Sequence, residues 1–290
     1  MNIRTNKVTN FIFPMSKIEN ALFDQRTNRV FYENSLVQVS TGADKSPAVV
    51  DVTIDFNGVK SQGHEMPEFN RLKNYDREIH DAIASLYDAG NHYISSRMIA
   101  NVLSGCKNRR ITAESHARIL SSINKMRCTE LTIDASREAE SFKINNYQYS
   151  GSLLPFTVVS DAVMNNNKVQ DCINLSGGFP LLEYAKLRKQ LASADVNLFG
   201  SMSTRQLHVE MKGYLCRQVL WMKHAKNRKR VIRYETLQDY LCLKVLDSHK
   251  RKEVREDVAE CLEYWKKLSF IKGYVERKED RKFAKVEIIL

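Results

Sequence analysis

Between positions 248 and 290 the hydrophobic period changes once, from helical to alternating. That change restricts the stretch to a helix followed by a two-stranded hairpin. In SHKRKEVREDVAECLEYWKK, Val254, Val258, Leu262 and Trp265 recur at helical spacing, with Cys261 and Leu268 widening the stripe. Beyond Leu268, FIKGYV and FAKVEI alternate, and the segment 276–282 between them is almost wholly charged, as suits a solvated hairpin tip. Lys250, Arg251, Lys252 and Arg255 crowd the front of the helix, where the macrodipole favours acid over base. A polyanion facing that end accounts for the placement. A basic helix feeding a basic-tipped hairpin is the outline of a winged-helix DNA-binding unit. The plain alternative is the helix-and-hairpin end of some other α+β domain.

Charge is distributed in the same sense. The 290 residues carry a net charge of +11, and from Thr204 onward 22 Lys/Arg face 13 Asp/Glu, a local excess of +9. A localised excess indicates a binding surface, and nucleic acid is the leading acidic partner. An anionic membrane is disfavoured, because every basic amphipathic stretch has a better use in a core. No Cys-x-x-Cys pair or zinc-type Cys/His spacing occurs among the six cysteines, so they are expected to be small core residues of a reducing compartment. Without an apolar signal core or a run of membrane-spanning length, the expectation is a cytoplasmic, nucleoid-associated protein with no metal and no cofactor.

Residues 1–73 read as an N-terminal arm. NFIFPMSKIENALF is apolar and broken by Pro14, and AVVDVTIDF alternates as a half-buried strand, with Val50, Val52, Ile54 and Phe56 inward, before an Asn57-Gly58 turn. The arm is either a further layer on the first domain or a partner-binding extension. From Asn74 the pattern is clear. Ile79, Ile83, Leu86 and Tyr87 line one helix, stopped by Gly90. Ser95 or Ser96 caps a second helix, ended by Gly105. CKNRR is a basic connection, and Thr112 caps a third helix with His116, Ile119, Leu120, Ile123 and Met126 inside and Ser115, Arg118, Ser122 and Lys125 outside. Strands follow at TELTID, 141–149 and 154–160. Residues 168–175 suggest a strand, 180–193 a bridging helix, and 193–203 a serine-rich seam. The second half opens with a long helix near 204–226 and runs through KHAKNRKRVIR, which holds six Lys/Arg and no acid. It continues with a short strand at 231–234, a helix at 235–246 and the segment described first. The order helix, short strand, helix, helix, hairpin thus occurs twice. The fold class expected is α+β: two tandem winged-helix domains, 74–203 and 204–290, with the β-containing arm in front.

Signatures for dinucleotide or phosphate loops, zinc proteases and serine hydrolases are absent. No two histidines lie two residues apart, as a metal-dependent nicking site would want. Glu210-Met211-Lys212 and Glu276-Arg277-Lys278 mimic half of a nuclease motif, but Glu-x-Lys is common in basic helices. A non-catalytic protein is expected.

The repeated helix-helix-helix-wing order, YDREIHDAIASLYDAG at the start of the first copy and LSFIKGYVE after the last helix resemble the tandem winged-helix replication initiators of bacterial plasmids and related mobile elements. The resemblance covers 74–290 and rests on pattern. It implies binding to repeated double-stranded sites at an origin, opening of adjacent duplex, recruitment of host helicase and initiator proteins, and a homodimer that exchanges with a monomer. It also implies that the second domain is the main groove reader.

The candidate DNA contacts are Lys107, Arg109, Arg110 and Arg118 in the first copy, where a solvated basic loop is the alternative. In the second they are Lys226, Arg228, Lys229 and Arg230 of the basic run, Lys250, Arg251, Lys252 and Arg255 of the helix, and Lys278, Arg281 and Lys282 of the wing. Arg255, one turn into its helix, can reach a base, whereas Lys250–Lys252 suit phosphate. Neutralising about six to ten phosphates would cost about 10³–10⁵ in affinity between 50 and 200 mM salt. A transcriptional regulator of the same build, a nuclease and an RNA-binding scaffold are the competing readings.

Overall fold

The computed structural model describes residues 2–3, 5–24, 36–42, 47–55, 71–105, 111–159, 162–164, 167–169, 172–175, 177–201, 203, 205–224, 229–243, 248–279 and 282–290. The fold is mixed α+β. In chain order the elements are β1 (Asn2–Ile3), β2 (Asn10–Pro14), α1 (Lys17–Phe23), β3 (Val37–Ser40), β4 (Val49–Asp55), α2 (Asn74–Asp88), β5 (Tyr93–Ile94), α3 (Ser96–Leu103), α4 (Ala113–Arg127), β6 (Glu130–Asp134), α5 (Ser136–Phe142), β7 (Gln148–Ser152), β8 (Thr157–Val159), β9 (Ala162–Met164), β10 (Asn167–Val169), β11 (Cys172–Asn174), α6 (Pro180–Leu187), β12 (Leu191–Asp195), a 3-10 turn (Val196–Gly200), α7 (Gln206–His224), β13 (Val231–Arg233), α8 (Tyr234–Tyr240), α9 (Ser248–Lys267), β14 (Gly273–Glu279) and β15 (Lys282–Ile289).

The second copy follows the expected order α7, β13, α8, α9, β14, β15. Its sheet runs β13-β15-β14, so the short strand between the first two helices pairs with the last strand of the hairpin. The stripe of α9 is buried as its spacing requires: Val254, Val258, Cys261, Leu262 and Trp265 are all at most 1% exposed. Trp265 Nε1 donates to the Leu198 carbonyl at 2.9 Å, and Tyr264 Oη to that of Asn197 at 3.0 Å. The 3-10 turn therefore grips the C-terminal half of α9 and leaves its basic front free of that contact.

The first copy keeps the helix order and changes the sheets. β5 pairs with β11, not with the hairpin. The hairpin strands β6 and β7 are separated by α5, where a loop and strand were expected, and they join a four-stranded sheet in the order β3-β4-β6-β7. Expected caps hold: Ser95 Oγ accepts from Met98 N, and Thr112 Oγ1 from Ser115 N at 3.2 Å. Gly90 and Gly105 end their helices at positive φ, where a side chain is strained. His116, placed on the inner face, is only half-buried. Cys128 and Cys242, taken for core residues, are exposed.

The arm is a layer of the core. Phe11, Phe13, Ile18, Leu22 and Phe23 are at most 1% exposed, and Ser16 caps α1 by accepting from Glu19 N at 3.0 Å. Strand β4 forms as its alternation demands, with Val50, Val52 and Ile54 buried; the expected inward Phe56 and the Asn57-Gly58 turn lie outside the described residues. Residues 191–195, assigned partly to a helix and partly to a seam, form β12 instead, antiparallel to β2. The bridging helix α6 accordingly ends at Leu187, and Leu198 and Phe199 beyond the strand are buried. The cause is the arm: β2 offers an unpaired edge that LASAD completes, with Ala192 and Ala194 facing in. One contiguous apolar cluster includes residues of the arm and of both copies.

The copies meet where α2 packs against α7. Arg217 of α7, 5% exposed, pairs with both oxygens of Glu78 and, at 3.0 Å, with Asp81 Oδ2 on α2, and donates to Tyr240 Oη at 2.9 Å. A Cβ at Gly213 would collide with the Glu78 carboxylate, so this close approach requires glycine. Asn74 Nδ2 donates to the Tyr240 carbonyl. Charged groups taken from water need such complete pairing.

Candidate nucleic-acid interface

The front of α9 and the wing of β14 and β15 come together around one ring. Phe283, at the start of β15, is 37% exposed. The Arg255 guanidinium carbon lies 4.2 Å from the ring centroid, and Lys278 Nζ, from β14, lies 4.6 Å from it. A helix cation and a wing cation thus share one aromatic, within the range where a ring's negative face attracts them. The hairpin register shifts between Arg277 and Lys278, a bulge that redirects the strand just before its tip. Arg255 Nε also lies 3.9 Å from Glu276 Oε1, and the same oxygen accepts from Tyr234 Oη at 2.6 Å. Burial, then the bond to Glu276, raises the Tyr234 phenol well above its usual range, so it stays a donor.

Around this point the remaining helix cations stand out from the surface. Arg251 and Lys252 are exposed, and Lys250 is half-buried. Lys250 pairs with Glu253 at 2.8 Å and Lys252 with Glu256 at 3.7 Å, both within the helix surface. Such exposed pairs hold weakly, about 0–1 kcal/mol, so a phosphate can compete for either lysine. Two wing cations not singled out from the sequence as contacts are paired as well: Arg277 with Glu287 at 3.0 Å and Lys285 with Glu279 at 2.8 Å.

Other candidates fall elsewhere. Lys229 and Arg230 are exposed, but the Arg230 carbonyl accepts from Ile288 N at 2.8 Å, at the base of the hairpin. They stand about 17 Å along the strand from Phe283, at about 3.4 Å per residue, and do not join the helix front. In the first copy Arg118 pairs with Glu114 at 3.5 Å and donates to Ser115 Oγ at 3.4 Å. Two members of the expected outer face of α4 are turned to the protein: Ser122, 2% exposed, donates to Asp76 Oδ1 at 2.6 Å, and Lys125 pairs with Asp76 Oδ2. Asp76 is on α2, whose packing on α4 brings it into reach. Lys107, Arg109, Arg110, Lys226, Arg228 and Arg281, and the side chain of Lys282, lie outside the described residues.

The Glu-x-Lys residues near 210 are engaged within the fold. Lys212 is fully buried and donates to the carbonyls of Phe199 and Ser201 at 2.9 and 3.1 Å, fastening α7 to the 3-10 turn. Glu210 beside it accepts from Gln206 at 2.7 Å, and burial pushes its carboxyl up to about 7.

Among the described residues, one group has the composition and size of a metal cage: Glu19, His80 and Asp81, all buried. His80 Nδ1 lies 3.1 Å from Glu19 and 3.4 Å from Asp81. Burial pulls the imidazole down, but its bonds to Asp81 and Glu19 outweigh this and lift it to about 9. Glu19, Glu78 and Asp81 interact with Arg77, Arg217 and His80 in the same network. Burial raises the Glu19 and Glu78 carboxyls to about 7, so near neutrality the network holds protons on these acids as well as on His80. The group is a structural joint, and sequence reasoning missed it. Its one signal was charge on apolar faces: Glu78 and Asp81 one turn apart on α2, and Arg217 within the apolar run of α7.

No helix among the described residues is long and apolar enough to cross a membrane. No protein-family model matches the chain, and no curated protein matches it. Solved structures of domains 2 and 3 of RctB are similar over nearly the whole length. One, a selenomethionine derivative, is 14% identical with a TM-score of 0.44, covering 96% of this chain and 98% of that one. The other is 12% identical with a TM-score of 0.46, covering 94% and 96%.

Proposed function

We propose that the chain is a sequence-specific duplex DNA-binding protein that reads its site with α9 and the β14–β15 wing, and that it acts as a replication initiator. The observation that carries this reading is the convergence of Arg255 and Lys278 on Phe283. It supports a single cationic face built from a helix front and a hairpin, the shape that enters a major groove and flanks it. Arg255 is placed to reach a base edge, while Lys250, Arg251, Lys252 and Lys278 grip phosphate. In this reading the unit from α7 to β15 is a winged helix. The first copy is its modified counterpart, and the joint between α2 and α7 holds the two at a fixed spacing along one duplex. The protein is non-catalytic, and any self-association or contact with host helicase serves the same role.

Footprinting on DNA flanking the coding region tests this, with permanganate probing for unpaired thymines. Protected repeats with adjacent melting, alone or with host factors, are expected. Protection without melting under any condition assigns the face to a promoter regulator instead. Cutting of supercoiled DNA with divalent metal would overturn the non-catalytic reading.

A further inference from the structure

Phe283 has no place in a simple account of a basic wing. It sits beside the charged tip, a third exposed, where a polar residue would dissolve better. Charges stand around it: Arg255 at 4.2 Å, Lys278 at 4.6 Å, and Glu276, which lies 3.9 Å from the same arginine. Free arginine and lysine side chains sample many rotamers, and ordering them on a phosphate backbone costs affinity. A ring touching both cations removes part of that cost before DNA arrives. It also fixes the distance between a cation of the helix and a cation of the wing, which must match groove edge and flanking phosphate together.

We infer that Phe283 is a positioning residue of the DNA-binding face, its ring holding Arg255 and Lys278 in one preset arrangement. This deepens the proposed function and rests on it. The ring is needed for its negative face rather than its bulk. A leucine fills similar volume and offers no such face, whereas tryptophan offers a stronger one.

The test compares wild-type protein with Phe283→Leu, Phe283→Ala and Phe283→Trp on a fixed duplex carrying a protected site, across a salt series. Phe283→Leu should weaken binding about 5- to 30-fold, from the cost of ordering two long side chains that the ring no longer holds. The slope of log affinity against log salt should stay unchanged, because the same cations still meet the same phosphates. Phe283→Trp should restore wild-type affinity. Without DNA, the side-chain NMR signals of Arg255 and Lys278 should be ring-shifted in wild type and lose that shift in Phe283→Leu. Wild-type affinity in Phe283→Leu, or no ring shift in the wild type, overturns the positioning role while leaving the DNA face intact. Absence of salt-dependent duplex binding by the wild type overturns both. Loss of binding together with thermal stability in Phe283→Ala, with full binding in Phe283→Leu, shows a packing role and also overturns it.

Discussion

The two copies share an order of elements and differ in what their neighbours leave free. In the second, β13 closes onto β15, and among the described residues the cations at the front of α9 pair with carboxylates of the same helix and of the wing. In the first, β5 is drawn away to β11, the hairpin is interrupted by α5 and extended by β4 of the arm, and the polar face of α4 is held by Asp76. One topological order gives a helix front and wing that share a ring in one place, and a helix whose Ser122 and Lys125 are held by Asp76 in the other. In the proposed reading, element order marks a candidate binding module, and the partners of its cations decide whether it is available.

The largest expected effects concern the joint that makes the copies one body. Replacing Arg217 by Met leaves Glu78 and Asp81 buried without their guanidinium, and should cost about 3–5 kcal/mol in urea unfolding. A loss below about 1 kcal/mol would mean that the copies are not coupled through this contact. Next is the contrast in binding. Arg255→Glu with Lys278→Glu should lower duplex affinity at least about 100-fold and reduce the salt slope by at least about 1. Arg118→Glu, the matching change on α4, should change affinity less than about threefold. Equal losses at both sites, measured by fluorescence anisotropy, would erase the distinction between the copies.

The joint also sets a pH dependence. The buried His80 imidazole rises from 6.5 to about 9 in the folded chain. Its contribution is fully present below pH 6.5 and is lost as pH climbs through about 9, to a total of about 3 kcal/mol. Urea midpoints at pH 6.5 and 9.5 should fall accordingly, and the fall should be smaller in His80→Gln. A wild-type midpoint that does not move would contradict a protonated His80. The smallest effect is local: Thr112→Ala removes the cap of α4 and should cost about 1 kcal/mol without touching duplex affinity, checked by thermal melting beside the binding assay.

Much of the second copy was legible because its long helices carry unambiguous stripes. Val254, Val258, Leu262 and Trp265 are buried where their spacing put them, and Arg255 and Lys278 could be named from their places on the helix front and the tip. Strand β12 was not legible. LASAD is short and small-sided, and its pairing with β2 is a long-range event that no local pattern records. Helix α5 was missed because SREAESF has too little apolar periodicity to stand out. The Arg217–Glu78–Asp81 network was hidden by the habit of assigning charge to the surface. Phe283 was read only as part of an alternating strand, and the fold shows it between two cations.

The account stands on where duplex DNA touches the protein. Hydrogen exchange, measured with and without a footprinted duplex, would locate that contact directly. Protection is predicted along 249–256 and 276–283, with no change along Ala113–Arg127. Protection confined to α4, or absent from both the front of α9 and the wing, would contradict it.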